Sequence, residues 1–289
     1  MKTPKEILEI ARPITWKASE LLRSFYQGTA NQNLNIQYKD GKIDDPVTAA
    51  DIAVSNYLID KLQSELGTEH FGYISEETYQ GEQLKNEFVW IIDPLDGTKD
   101  FIDKTGEYAI HIGLVKSGRP VLALIAVPEL EKIYYATKDG GTFVETKDGI
   151  IKKLQLSATK KIEELIVLVS RSHRSEPLDY ILSNLPCKNH KNLGSIGCKI
   201  ASIVEEKADV YISLSGKSAP KDWDIAAPEL ILTEAGGLYT NYNRSLLQYN
   251  TGDANQWGGL LASNGKYHDI LCQAAAKYLA EFQSKSEDI

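Results

Sequence analysis

The chain has 289 residues, 42% of them hydrophobic, which is enough for one large globular unit or two closely packed ones and too apolar for disorder. Its formal charge of −8 repels a nucleic-acid polymer or an acidic membrane on average, so an anionic ligand needs locally supplied cations, and metal ions are one source. No stretch approaches the roughly 20 apolar residues of a membrane span, the first residues carry no signal-peptide core, and Cys187, Cys198 and Cys272 stand too far apart for a disulfide framework or a zinc cluster. The expectation is a cytoplasmic, soluble protein whose cysteines are small buried hydrophobes.

In chain order, Ile7, Ile10, Ala11, Ile14, Ala18, Leu21, Leu22 and Phe25 recur every three to four residues and predict an amphipathic helix, kinked at Pro13. A second helix is predicted over 48–66, with Ile52, Leu58, Ile59 and Leu62 inward and Gly67 closing it. From Phe88 the texture changes to short apolar runs, FVWII, YAIHIGLV, PVLALIAV and KIYYA, separated by turn-formers such as Ser117-Gly118 and Asp139-Gly140-Gly141, which predicts an antiparallel sheet. Beyond a charged stretch at 152–164 the pattern alternates. LIVLVS reads as a strand, 178–185 as a helix, a further helix starts at about Lys199, DVYIS is a strand, and 224–234 is a helix. The alternation predicts a layered α/β second half, with units over 1–155 and 156–289.

The most informative segment is Trp90-Ile91-Ile92-Asp93-Pro94-Leu95-Asp96-Gly97-Thr98-Lys99-Asp100-Phe101, in which an apolar strand runs directly into two aspartates. Carboxylates buried beside such a strand need a compensating partner, and no lysine or arginine adjoins the pair before Lys99. A divalent cation would compensate, and magnesium suits a few carboxylates scattered over several loops. Further carboxylates stand in Ile74-Ser75-Glu76-Glu77 and in Lys221-Asp222-Trp223-Asp224, the latter at the head of a predicted helix. Each has an ordinary structural alternative. Asp-Pro and Asp-Gly steps make turns, Asp224 suits a helix cap, Glu76 and Glu77 suit a solvated edge, and Thr48-Ala49-Ala50-Asp51 has capping-box spacing. No G-x-S-x-G elbow, P-loop or Rossmann glycine pattern is present.

Taken together, D-P-L-D-G-T-K-D-F, the upstream S-E-E and P-V-T-A-A-D, and the downstream W-D-I-A-A…E-A-G-G resemble the inositol monophosphatase superfamily of metal-dependent, lithium-sensitive phosphatases over roughly residues 39 to 265. The lysine after D-G-T, the acidic residue and phenylalanine after it, Val169-Ser170-Arg171-Ser172-His173 and Gly194-Ser195-Ile196-Gly197-Cys198-Lys199 are similar to its 3′(2′),5′-bisphosphate nucleotidase branch. The resemblance implies an α+β or α/β layered αβαβα sandwich, most metal ligands in the first unit and Asp224 with substrate contacts in the second. It implies two or three Mg2+ ions held by Glu76, Asp93, Asp96, Asp224 and the carbonyl of Leu95, with Asp51, Glu76 and Thr98 handling the attacking water. It also implies phosphate contacts from Gly97 and Thr98, and a substrate, 3′-phosphoadenosine 5′-phosphate or its sulfated relative, contacted by His173, Ser195, Lys199 and Lys217. Lys199 leads as the cation for the second phosphate, at the opening of its predicted helix. Alternatives that remain open here are an inositol monophosphate or sugar bisphosphate phosphatase, and a non-catalytic binding partner in a larger assembly.

Overall fold

The computed structural model describes residues 2–30, 37–38, 46–157, 159–171 and 174–287. Helix α1 (Pro4–Tyr26) starts from a reciprocal cap, in which the Glu6 amide donates to Thr3 Oγ1 and the Thr3 amide donates to Glu6 Oε2. It continues without interruption through Pro13, where a kink was the sequence expectation. The same reciprocal cap at Thr48 and Asp51 opens α2 (Ala49–Leu66), and Gly67, at φ 75°, closes it. Its inner face is Ala50, Asp51, Val54, Ser55, Leu58 and Leu62, whereas Ile52, expected inward, is exposed. The reason is angular: Ile52 lies about 100° around the helix from Asp51, and the inner stripe is occupied there by polar Asp51 and Ser55.

Two short strands, β1 (Gln37–Tyr38) and β2 (Pro46–Val47), pair antiparallel. A seven-stranded sheet then follows in chain order, from β3 (Phe71–Ser75), β4 (Phe88–Asp96) and β5 (Ala109–Lys116) through β6 (Arg119–Val127) and β7 (Lys132–Thr137) to β8 (Gly141–Thr146) and β9 (Ile151–Leu154). It is antiparallel as expected except that β3 runs parallel to β4. A short helix, α3 (Thr98–Ile102), leaves the end of β4. The second sheet is mixed, in the order β11 (Asn189–Asn192), β10 (Ile166–Val169), β12 (Val210–Leu214), β14 (Gly259–Ser263), β13 (Leu238–Asn241). Its helices are α4 (Glu176–Asn184), α5 (Ile196–Val204), α6 (Asp222–Glu234) and α7 (His268–Glu287). Three of these begin earlier than the sequence pattern suggests, α4 at Glu176 instead of Leu178, α5 at Ile196 instead of Lys199 and α6 at Asp222 instead of Asp224.

Three apolar cores define five layers. One core joins α1 and α2 to one face of the large sheet, the second joins the opposite face to α5, α6 and the small sheet, and the third joins the small sheet to α4 and α7. The order helix, sheet, helix, sheet, helix is the expected αβαβα sandwich. Because both faces of the large sheet are covered, β4 and β5 are nearly continuous hydrophobic runs with every residue but the last out of water. Gly113 lets α6 approach, since a Cβ there would stand 3.3 Å from that of Ala226. Cys187 and Cys272 are buried and Cys198 is half-buried, all three as free thiols. Among the described residues no helix is long and apolar enough to cross a membrane.

Candidate active site

The candidate carboxylates converge where β3, β4 and α6 end or begin. Glu76 follows β3 and is fixed to β4 by its own amide, which donates to the Ile92 carbonyl at 3.1 Å. In β4 the pairing with β5 slips between Asp93 and Asp96: Asp93 faces His111 and Asp96 faces Ala109, so three steps on one strand match two on the other. This bulge re-aims the strand end, bringing Asp96 over the β5 side chain that its neighbour pairs with. Asp93 is buried, with Oδ1 accepting from the Leu95 amide at 2.9 Å. Asp96 Oδ2 accepts from Ser195 Oγ and from the Gly197 amide at 2.9 Å, and lies 3.1 Å from His111 Nε2. Asp224 Oδ2 accepts from the Lys221 amide at 2.6 Å, so the capping alternative is real for this residue and coexists with its place in the cluster. Thr98 Oγ1 lies 3.1 Å from the Leu95 carbonyl and 3.4 Å from Asp51 Oδ1.

The electrostatics separate these groups. Burial, and then the charges of Glu76, Asp96 and Asp224, push the Asp93 carboxyl well above its ordinary range. Burial, with Glu76 and Asp96 adding, raises Asp224 to about 7. Asp51 also rises to about 7 through burial, against the opposing hydrogen bonds from Thr48. For Asp96 burial works the same way, but His111, Ser195 and Gly197 hold it down to about 2. The result is a set of buried carboxylates that repel one another and have no lysine or arginine salt bridge among the described residues. That donor chemistry fits a divalent cation. Among the described residues no three acidic, imidazole or thiol side chains by themselves form a group able to hold an ion, so one bound here would complete its shell with water and ligand oxygens, as magnesium commonly does.

Backbone shape at the site is unusual in two places. Gly97 has φ 92°, and a Cβ there would stand 2.9 Å from the Glu107 carbonyl. Ser195, the cap of α5, has φ 51° and ψ 132°, a costly conformation for a residue with a side chain. The Ser195 neighbourhood is tied down by the Gly194 amide, which donates to Glu107 at 2.6 Å, and by Arg171, which bonds Glu107 at 2.7 Å and Asp100 at 3.3 Å.

The remaining candidates are spread out. Lys199 is the fourth residue of α5 and is buried, not a solvated lysine at a helix opening. Its Nζ donates to the Ser195 carbonyl at 3.1 Å and lies 5.3 Å from the centre of the Tyr211 ring. Lys217 is exposed in the loop over 215–220. His173 lies outside the described residues. Sequence reasoning passed over His111, whose only signal was a lone polar residue inside an apolar run, and also Glu107 and the clamp it forms with Arg171. An open cleft of about 520 Å3, lined among others by Gln83, Asn86, Ser117, Gln248 and Asn250, includes none of these side chains.

The chain matches the Inositol monophosphatase family over residues 3–280. It belongs to that family. Among curated relatives it is 32% identical over 249 residues to the 3′(2′),5′-bisphosphate nucleotidase CysQ of Aggregatibacter actinomycetemcomitans, covering 85% of this chain and 87% of the relative. The CysQ of Haemophilus influenzae is 33% identical over 241 residues, 82% of this chain and 85% of the relative. The fold of this inositol monophosphatase family member is shared with Thermotoga maritima IMPase (TM-score 0.76, 21% identity, 95% and 98% of the two chains) and with the suppressor protein suhB of Bartonella henselae (TM-score 0.78, 22% identity, 94% and 99%).

Proposed function

We propose that this chain is a magnesium-dependent 3′(2′),5′-bisphosphate nucleotidase that hydrolyses the 3′-phosphate of 3′-phosphoadenosine 5′-phosphate to AMP and phosphate. The observation that carries the metal-dependent chemistry is the pair of mutually repelling carboxylates, buried Asp93 and half-buried Asp224, which have no lysine or arginine salt bridge among the described residues. The bisphosphate assignment is supported by the likeness to the two CysQ nucleotidases. Glu76, Asp93, Asp96, Asp224 and the Leu95 carbonyl would hold two or three magnesium ions. Bound there, magnesium supplies positive charge to the phosphate oxygens and the leaving oxygen and lowers the pKa of a water molecule.

The chain's own part is orientation and proton handling. Thr98 stands between Asp51 and the Leu95 carbonyl, so its hydroxyl fixes the direction from which a water approaches, with Asp51 behind it to take the proton. A carboxyl at about 7 is well matched to that task near neutral pH. The amides of Gly97 and Thr98, at the start of α3, would donate to a phosphate oxygen. Among the described residues Lys199 has one hydrogen-bond partner for three N–H groups, which leaves donors for the substrate's second phosphate. Ser195 presents this segment, and Lys217 and His173 complete the substrate contacts.

A substrate panel in magnesium tests the assignment: 3′-phosphoadenosine 5′-phosphate, its sulfated relative, inositol 1-phosphate and fructose 1,6-bisphosphate. The nucleotide bisphosphates should give the highest kcat/KM. A preference for inositol 1-phosphate would overturn the substrate while leaving the metal chemistry intact. Lithium should inhibit at lower concentration than sodium, and indifference to lithium at moderate magnesium would count against a site of this kind.

A further inference from the structure

His111 is fully out of water in β5, among Ala109, Ile110, Ile112 and Leu114. An imidazole placed there is costly unless its nitrogens are matched. Nδ1 lies 3.3 Å from the Trp223 carbonyl, and Nε2 lies 3.1 Å from Asp96 Oδ2 without hydrogen-bond alignment. The ring therefore spans two elements from a third. It reaches Asp96 at the end of β4, and it reaches the residue just before Asp224 at the start of α6.

Its second effect is on which oxygen Asp96 offers. Oδ2 accepts from Ser195 Oγ and the Gly197 amide and lies against the imidazole, whereas Oδ1 takes no hydrogen bond among the described residues. The start of α5 closes over the ring so tightly that a Cβ on Gly197 would stand 2.3 Å from Nε2. We infer that His111 is a positioning residue for the magnesium site: it locks Asp96 with Oδ1 free for the cation and fixes the spacing between β4 and α6. This rests on the metal reading above.

The test is calorimetric titration of magnesium into the full chain without substrate, for the wild type, His111→Leu and Ile110→Val. The last is a packing control on the same strand, in the core on the sheet's other face. His111→Leu should bind magnesium about 10–100-fold more weakly, the range for losing a partner that orients a ligand, and Ile110→Val should bind as the wild type does. Failure of the wild type to bind magnesium would sink the metal reading and this inference with it. Wild-type affinity in a folded His111→Leu would overturn the inference alone. If His111→Leu does not fold, the wild type decides: in protein labelled with 15N-histidine, the His111 ring signals should shift over the magnesium concentrations at which binding is measured. Signals that ignore magnesium overturn the proposal.

Discussion

Two carboxylates of helix α6, buried Glu229 and half-buried Asp224, are handled in opposite ways. Glu229, in its middle, is 1% exposed and accepts from the Arg119 guanidinium and from the Tyr249 hydroxyl at 2.6 Å, while Arg119 also donates to the Leu247 carbonyl. Burial raises Glu229, and Arg119 and Tyr249 oppose the rise. Asp224, at the start of the same helix, receives one backbone amide and faces Glu76 and Asp96, and Asp93 is in the same position on β4. Glu229 has its cation supplied by Arg119, whereas Asp224 and Asp93 leave that charge to be supplied.

The sharpest way to break this comparison is to neutralise each kind in turn. Asp93→Asn should lower kcat/KM about 1000-fold, roughly 4 kcal/mol of transition-state stabilisation. The metal-free protein should melt no lower than the wild type, because one repelling charge is gone. Steady-state kinetics in magnesium and a melting curve in chelator measure the two effects. A folded Asp93→Asn enzyme with full turnover would end the metal reading, and a large drop in its metal-free melting point would mean that Asp93 is structural after all.

Arg119→Ala is the converse. It leaves Glu229 buried and unpaired and should cost about 3 kcal/mol of stability, at the low end for a broken buried pair because the arginine is itself about a third exposed. Denaturant unfolding should show the same loss with and without magnesium, and the folded fraction should keep wild-type turnover. A loss that magnesium repairs would join Arg119 to the site and erase the distinction.

How much of this was legible in sequence follows the same line. The carboxylate cluster was visible at Asp93 and Asp96 because its members crowd one strand end, and the capping of α2 by Thr48 and Asp51 was visible because capping is local. The leading helices and the antiparallel sheet were legible through the change from three-to-four-residue spacing to short apolar runs, whereas the five-layer order came from the family resemblance alone. Distant contacts were not. Nothing near His111 announces Trp223 or Asp96, and nothing near Glu229 announces Arg119, since each partner arrives from an element far away in the chain. Ile52 was misjudged for a related reason: an apolar side chain looks inward until the structure shows that Asp51 and Ser55 hold the inner stripe. The start of α5 was placed too late because Ser195 caps it from a backbone conformation that sequence rules assign to glycine.

Acidity provides a gentler test. In the metal-free protein Asp51 and Asp224 sit at about 7 against an ordinary 3.8, so between roughly pH 4 and 7 the native chain binds more protons than the unfolded chain. Raising the pH through that window should therefore lower stability and the melting temperature. Saturating magnesium should flatten the slope, because the cation replaces the protons. Melting curves across the window, with magnesium or chelator, check both statements. A metal-free stability that climbs with pH would show that these carboxylates are stabilised as anions by the chain itself, as Asp96 is.

The smallest expected effect concerns Lys199, which stands between the two classes. It is a buried cation, as structural ones are not expected to be without a carboxylate in contact, yet among the described residues it has only the Ser195 carbonyl as hydrogen-bond partner and feels Asp96, Asp100 and Glu107 at longer range. Burial lowers its pKa, so an anion arriving beside it is worth more than it would be to a solvated lysine. Lys199→Met keeps the length and removes the charge. If the ammonium serves the second phosphate, kcat/KM for 3′-phosphoadenosine 5′-phosphate should fall about tenfold, near 1.4 kcal/mol, while kcat/KM for a simple monophosphate stays within about twofold. The contrast between the substrates is the decisive quantity. An equal fall on both would mean that Lys199 acts through Ser195, holding its strained turn and with it the oxygen of Asp96 that Ser195 engages. The distal-phosphate role would then have to pass to a cation nearer the surface, such as Arg171, whose guanidinium is now shared between Asp100 and Glu107.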